Sequence, residues 1–471
     1  MKIPKISRKE IITASSAIIA ICAIAFAYTC YDYVTTYNAQ QKKIIESKTF
    51  VLQAEAQSTK DLAIILHKKI IRAILLATLI IFLLSIMLSK AYTGNKRSFW
   101  LLAIFFSLLL AIDIVVIWYF EVRLSGLKMQ SNVIENDADV EKFFAVHKSQ
   151  NPKIYEEDFH YIPVGFLWYS ITINEKIQGD IGDVRLYAYP WATYDLSTDK
   201  AIKQLIDKDP NNGVFIAMNS INETRWALSG ITQGNKYVLN WQESIALHPD
   251  FNYTKYPFDQ QQIILNFEHY ESLKRITLLP DFEAYKPATT KYPPIDKNIN
   301  LSGWKITNAY FCYVLSDYST NFGIQNYWQV KNYPFLTYVI QIQRNFAEPL
   351  VTGLLPIIII LFIIFASLLI LSKVPNPKDT INGILALLSS LFFANLVSYQ
   401  TLQNAIMSPN MIYFKLFYII MYVIIFAATT NCLLYVYRPN SFLNYDNNFI
   451  ARLLYWPIVM IIFFVITLIF F

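Results

Sequence analysis

The chain has few of the residues and motifs on which soluble catalysis depends. Its 471 residues include four cysteines, Cys22, Cys30, Cys312 and Cys432. They are scattered, at least two of them inside apolar runs, so neither a disulfide framework nor a CxxC metal pattern can be drawn. The five histidines, His67, His147, His160, His248 and His269, show no HExxH spacing. The 12 glycines form no Walker loop, GxGxxG or GxSxG. The apolar runs contain no paired Asp, His or Ser–Lys constellation. The sequence therefore points away from an enzyme and implies neither cofactor nor metal. Charge is scarce too, at 16% of residues, and the net charge of +6 comes from Lys and Arg that mostly flank apolar runs. No compact basic cluster interleaved with aromatics speaks for nucleic acid.

Apolar mass is abundant: 55% of residues are hydrophobic, including 33 Phe, 32 Tyr and 9 Trp. It is concentrated in runs long enough to cross roughly 30 Å of hydrocarbon, which takes about 20 residues, so the expectation is an integral membrane protein. Seven runs qualify: Ile11 to Thr29, Ala73 to Ser89, Phe99 to Phe120, Pro349 to Ser372, Thr380 to Leu402, Met411 to Tyr437 and Leu453 to Phe471. A polar, mixed region separates the third from the fourth. This gives an N-terminal module of three spans (1–120), a connector (121–160), a folded domain (161–345) and four C-terminal spans (346–471). Lys90, Lys96 and Arg97, Lys373 and Lys378, and Arg438 and Arg452 occupy short loops. By the positive-inside rule these loops and the N-terminus face the cytoplasm of a multi-pass plasma (bacterial inner) membrane, and the large domain lies outside. Lys42, Lys43, Lys48, Lys60, Lys68 and Lys69 fall in the first hairpin and oppose that orientation. Ala25-Phe26-Ala27 resembles a signal-peptidase site, so the first span is read as a retained anchor with cleavage as the alternative. Asp113, deep in the third span, either bonds a neighbouring helix or responds to protons.

The outside domain reads as β-structure. From Phe335 to Arg344, Leu336, Tyr338, Ile340 and Ile342 alternate with Thr337, Gln341 and Gln343. Val184 to Tyr189 and Ile263 to Phe267 are similar β-branched and aromatic runs. Turn-like stretches at 180–183 and 209–213 separate them, as expected of an immunoglobulin-like sandwich of about ten strands. The connector carries Glu135, Asp137, Asp139, Glu141, Glu156, Glu157 and Asp158 and reads as a solvated helix.

Tyr256-Pro257-Phe258-Asp259-Gln260-Gln261, in a β-rich domain followed by four spans, resembles the pentameric ligand-gated ion channels, the Cys-loop receptor superfamily. The two cysteines of its animal members would fall on Pro249 and Ile263, so the bridge is missing, as in the prokaryotic branch. Phe267 and Tyr270 match the family's Phe and ligand-box aromatic in the next loop. Val184-Arg185-Leu186 with Trp191 to Leu196 resembles the strand bearing the complementary-face Trp, with one residue inserted. Arg344 and Pro356 stand where the family keeps an Arg before, and a Pro within, its first pore-domain helix. The resemblance covers residues 160–471 and leaves the N-terminal module outside it.

The resemblance gives these residues roles. Pro257 sharpens the loop, Tyr256 and Phe258 give it an apolar tip, and Asp259 can pair with Arg344 at the membrane boundary, with Asp180 or Asp183 as a third member. The second C-terminal span would line a pore through Asn382, Leu385, Ser389, Phe392, Leu396 and Tyr399, whose spacing is helical. Phe392 and Leu396 would form a constriction able to stop ions by dewetting. No acidic ring stands at the cytoplasmic mouth; only Asp379, beside Lys378, carries negative charge there. Trp191 and Tyr270, and less strongly Tyr318, Tyr327 and Trp328, are candidates for a ligand box between subunits. The implied protein is a homopentamer in a lipid bilayer, gated by a small molecule or by protons and passing ions. The alternative is a membrane-anchored sensor or scaffold whose helices form no aqueous path.

Overall fold

The computed structural model describes residues 96–124, 130–155, 160–175, 182–197, 200–269, 276–286, 292, 294–317, 320, 323, 332–406, 411–438 and 445–471. The first two expected spans lie outside the described residues.

Ten strands form two five-stranded sheets. The first sheet has the order β1-β9-β10-β7-β4, with β1 Val133–Ile134, β4 Phe215–Ala217, β7 Gln260–His269, β9 Trp304–Ser316 and β10 Tyr333–Arg344. The second has the order β5-β6-β3-β2-β8, with β2 His160–Asn174, β3 Asp183–Asp195, β5 Asn222–Gln233, β6 Lys236–Leu247 and β8 Ile276–Pro280. Pairing is antiparallel except between β2 and β8. Along β3 and β6 buried and more exposed positions alternate, which is what a sheet with one face on a core requires. The inner faces meet over an aromatic centre, where the Phe166 ring lies 4.9 Å from Trp168 and 5.0 Å from Phe267. The three expected strands fall within β3, β7 and β10. In β10 the polar alternates Thr337 and Gln341 are also buried, because this strand is central in its sheet and its second face carries Val339, clustered with Tyr310 and Cys312 of the neighbouring β9.

Eight helices are described. Three belong to the sheet domain: α2 Asp137–Gln150, α3 Lys200–Lys208 and α4 Phe282–Tyr285. Five are long and apolar enough to cross a membrane: α1 Lys96–Leu124, α5 Ala347–Lys373, α6 Pro377–Ala405, α7 Tyr413–Tyr437 and α8 Tyr445–Phe470. The chain is thus a membrane-embedded protein with a sheet-rich domain. The last four long helices pack together through Ile357, Ile364, Leu388, Phe417, Met421 and Phe463. Gly353 permits the approach of α5 to α7, since a Cβ there would lie 2.8 Å from the Phe414 ring. Buried hydroxyls tie the bundle: Tyr418 donates to Gly353 O (2.7 Å) and Tyr455 to Leu361 O (2.9 Å).

The connector differs from its expectation in two ways. Its first residues prolong α1 to Leu124, four residues past the expected end of the span. Its acidic stretch forms α2, N-capped by Asn136, whose side chain accepts from Asp139 N–H. Asp137 and Glu141 are exposed and Asp139 partly so, but Val140, Phe144 and His147 bury an apolar stripe on the sandwich, so α2 is a docked helix; Glu156, Glu157 and Asp158 lie outside the described residues.

Candidate functional site

Three segments converge at one end of the sandwich. Strand β2 ends there at Asn174, paired with Asp183 at the start of β3; the 248–259 loop crosses there from β6 in one sheet to β7 in the other; and β10 ends there and leads, through Asn345 and Phe346, into α5. The register places Gln343 opposite Gln260 and Arg344 opposite Trp304.

Arg344 is the centre of this junction. Its Nε–H donates to Asp259 Oδ1 (2.7 Å) and its Nη2 to Asp259 Oδ2 (3.1 Å), a two-pronged, charge-assisted pair. Its Nη1 reaches Glu175 Oε1 at 2.6 Å. The side chains of Arg344 and Asp259 are only 6% and 1% exposed. Burial alone would lower the Arg344 pKa, but Asp259 and Glu175 outweigh it and hold the guanidinium above its ordinary value. The guanidinium also lies 4.2 Å from the ring centroid of Trp304 and 4.9 Å from that of Tyr256. Gln261 completes the shell: its Nε2 donates to Asp259 Oδ2 and to Asn252 O, both at 2.9 Å.

The expected Asp259–Arg344 pair is therefore formed. The third member is Glu175, one residue past the end of β2. Asp183 instead accepts from Arg185 and Asn174, and Asp180 lies outside the described residues. Gln261 closes the Tyr256–Gln261 motif but carries no assigned role in it, and no sequence signal singled out Glu175 or Trp304.

Tyr256, Pro257 and Phe258 are buried at the loop's tip, and the Tyr256–Pro257 bond is cis. The Tyr256 ring lies 6.2 Å from Phe414 of α7, and Phe258 lies 5.6 Å from Phe346 at the start of α5. Thr254 O accepts the Tyr413 N–H of α7 at 2.9 Å. The loop thus touches the sheet domain through its charges and the bundle through its rings.

In α6 the buried face is Ile381, Ile384, Leu388, Leu391, Asn395 and Leu402, and Asn395 Nδ2 donates to Tyr418 O at 3.0 Å. At about 100° per residue, the face directly opposite carries Ala386, Ser390, Phe393, Val397, Gln400 and Asn404, all exposed. The expected stripe lies about a quarter turn away, on the flank towards α7. On it Asn382, Ser389 and Phe392 are exposed, while Leu385, Leu396 and Tyr399 are half-buried. Phe392 sits 5.0 Å from Tyr422 and Tyr399 6.5 Å from Tyr418, both of α7. Ser389, Phe392, Phe393, Tyr422, Phe426 and their neighbours line an open groove of about 280 Å³.

Of the expected ligand box, only Trp191 is described; Tyr270, Tyr318, Tyr327 and Trp328 lie outside the described residues. Trp191 is half-buried on the outer face of the second sheet. Its Nε1–H donates to Asp281 Oδ2 (3.0 Å), and its ring lies over Gly165 and 5.6 Å from Tyr285. Beside it the Tyr169 ring lies 4.7 Å from that of the exposed Tyr189, tilted by 34°. At the edge of the β9–β10 connection, His147 of α2 bonds Tyr155 Oη (2.6 Å) through Nδ1 and Asn332 O (2.8 Å) through Nε2. His269 is buried beside Tyr194, whose hydroxyl is 3.1 Å from its Nε2.

Comparison with protein-family models returns no match, and comparison with curated proteins returns none either.

Proposed function

We propose that the chain is a subunit of a pentameric ligand-gated ion channel, in which the outside sandwich senses a small molecule or protons and the four C-terminal helices respond. The observation that carries this reading is the buried Asp259–Arg344–Glu175 bridge. It joins the loop between the two sheets to the last residue of β10, three positions before the first helix of the bundle begins at Ala347. A rotation of the sandwich would reach α5 through Arg344 and α7 through Tyr256 and Thr254, without passing through a flexible linker. Such a junction transmits movement if the whole has two discrete arrangements. The agonist must then contact the protein more favourably when the pore is open.

In this assembly α6 lines the axis with the face turned away from its own bundle: Ala386, Ser390, Phe393, Val397, Gln400 and Asn404. Phe393 and Val397, 63% and 61% exposed in the isolated subunit, would form the apolar constriction and Ser390 a polar ring next to it. The same two side chains favour a second reading. An apolar face of this kind also suits lipid, and Asp379, the only acid near that end of α6, accepts from Asn376 of its own loop at 2.7 Å. A non-conducting membrane sensor built on the same sandwich is the result. Current recordings from liposome-reconstituted protein over a range of pH and of candidate ammonium ligands separate the two. Gated currents that rise in Phe393→Ala support the channel; silence in both parent and variant supports the sensor.

A further inference from the structure

The helix α1 lies outside the four-helix unit, yet it touches the junction more intimately than any lipid-facing helix needs to. It runs along α8, and its last turns place Trp118, Glu121 and Val122 on one face, at helical i, i+3, i+4 spacing. All three engage the junction. Trp118 Nε1–H donates to Tyr413 Oη at 3.0 Å, and Tyr413 Oη is in turn 2.7 Å from Thr467 Oγ1 of α8. The Trp118 ring lies 5.3 Å from Phe258. Lys255 Nζ, in the residue just before Tyr256, donates to Glu121 Oε1 at 2.7 Å. Gln343, just before Arg344, donates through Nε2 to Val122 O at 3.1 Å.

Glu121 is an expensive residue for this position. Its side chain is 4% exposed, and it sits in the last turn of a helix, where the dipole disfavours an anion. Lys255 brings it an opposite charge from the loop at 2.7 Å, so the α1–loop contact is favoured in its made form. Two ion pairs thus hold the loop, at Asp259 to Arg344 of its own domain and at Lys255 to a helix of the N-terminal module, alongside its contacts with α5 and α7.

We propose that α1 is a regulatory clamp on the 248–259 loop, through which the N-terminal membrane module sets how readily the sandwich drives the bundle. Displacing α1 takes Glu121 from Lys255 and Trp118 from Phe258 while leaving the Arg344 bridge, and the packing of Phe258 on Phe346, intact. The clamp follows from these contacts alone; its effect on a pore rests on the channel reading above.

The test uses the full chain in lipid nanodiscs with Glu121→Lys, Lys255→Glu and the double exchange. The readout is hydrogen–deuterium exchange at the Tyr256 and Phe258 amides, which are bonded within the loop to Tyr253 O (3.0 Å) and Lys255 O (2.8 Å). Each single variant is expected to speed exchange at least about fivefold and the double to return it towards the parent. Singles that exchange like the parent, or a double as fast as the singles, overturn the clamp. Glu121→Gln, which keeps the shape and removes the charge, replaces any reversed variant that does not assemble and must shift exchange in the same direction. Currents are recorded in parallel, with an expected change of about fivefold or more in the stimulus for half-activation. Exchange that responds while every variant is silent leaves the clamp and removes the channel. Exchange that does not respond while the parent conducts does the reverse.

Discussion

Replacing Asp259 by Asn changes one oxygen to an amide and removes one charge from the most heavily buried ion pair in the described chain. Asp259 Oδ2 accepts from both Arg344 Nη2 (3.1 Å) and Gln261 Nε2 (2.9 Å), and Oδ1 accepts from Arg344 Nε (2.7 Å). Whichever way the new amide turns, its NH₂ faces at least one N–H donor. One charge-assisted hydrogen bond goes, at about 1.5–3 kcal/mol, and a donor–donor contact replaces it. Breaking a buried pair outright costs about 3–5 kcal/mol, but Glu175 remains to neutralise part of the guanidinium, so about 2–4 kcal/mol is expected. Glu175→Gln loses a single, more exposed contact and costs about 1 kcal/mol; Asp259→Ala, which removes both acceptors, costs most. Thermal unfolding of the purified protein should therefore rank parent, Glu175→Gln, Asp259→Asn and Asp259→Ala in falling order. Asp259→Asn should still assemble but lose the response of the bundle to ligand. An Asp259→Asn protein that melts and responds like the parent, or a Glu175→Gln protein that melts below it, refutes the bridge as the junction's support.

If the face of α6 opposite the bundle lines a water-filled path, cysteine at Ser390 should react with an aqueous thiol reagent faster than cysteine at Ser389, which is on the α7 flank; equal rates or the reverse order count against that path. Gly165→Ala puts a Cβ 2.3 Å from the Trp191 ring, so Trp191 must leave its seat and its bond to Asp281. About 1–3 kcal/mol of stability and a shift in tryptophan emission are expected, and an unshifted spectrum with unchanged melting contradicts the packing. Burial holds the His147 pKa below its usual 6.5, against the opposing bond to Asn332 O. Its contribution is thus complete above about pH 6.5 and is lost as pH falls through the lower folded value, and His147→Gln should flatten the acid limb of a melting-temperature profile. Glu243 runs the other way. Burial pushes it up to about 7 from 4.5, Arg225 opposing and Glu223 adding, so its contribution is complete below about pH 4.5 and lost as pH rises through 7. Glu243→Gln should flatten the neutral limb, and a profile unchanged in either variant contradicts the corresponding assignment.

The long helices were legible because about 20 consecutive apolar residues have few other uses. The ends of α5, α6 and α7 fall within a few residues of expectation. Strands β3, β7 and β10 were legible from period-two patterning. The Asp259–Arg344 pair was legible only through resemblance, as a motif and a position. Glu175 was not, because which acid of a hairpin faces an arginine depends on strand register, and Asn174 pairing with Asp183 turns Asp183 towards Arg185. The Glu121–Lys255 pair spans 134 residues, and nothing local marks either partner. The orientation of α6 was obscured by Phe392 and Phe393 standing side by side: two adjacent bulky rings leave the outward face ambiguous by one residue, about a quarter turn of the helix. The acids of α2 reported its solvent face correctly, while Val140, Phe144 and His147 carried a docking stripe too short to stand out.

The most direct test of the account is the symmetry of the detergent-purified protein in single-particle images viewed along the membrane normal. Five-fold averages with α6 innermost are expected. A monomer, a dimer or any other symmetry, or a ring in which α6 faces lipid, would contradict the pentameric channel.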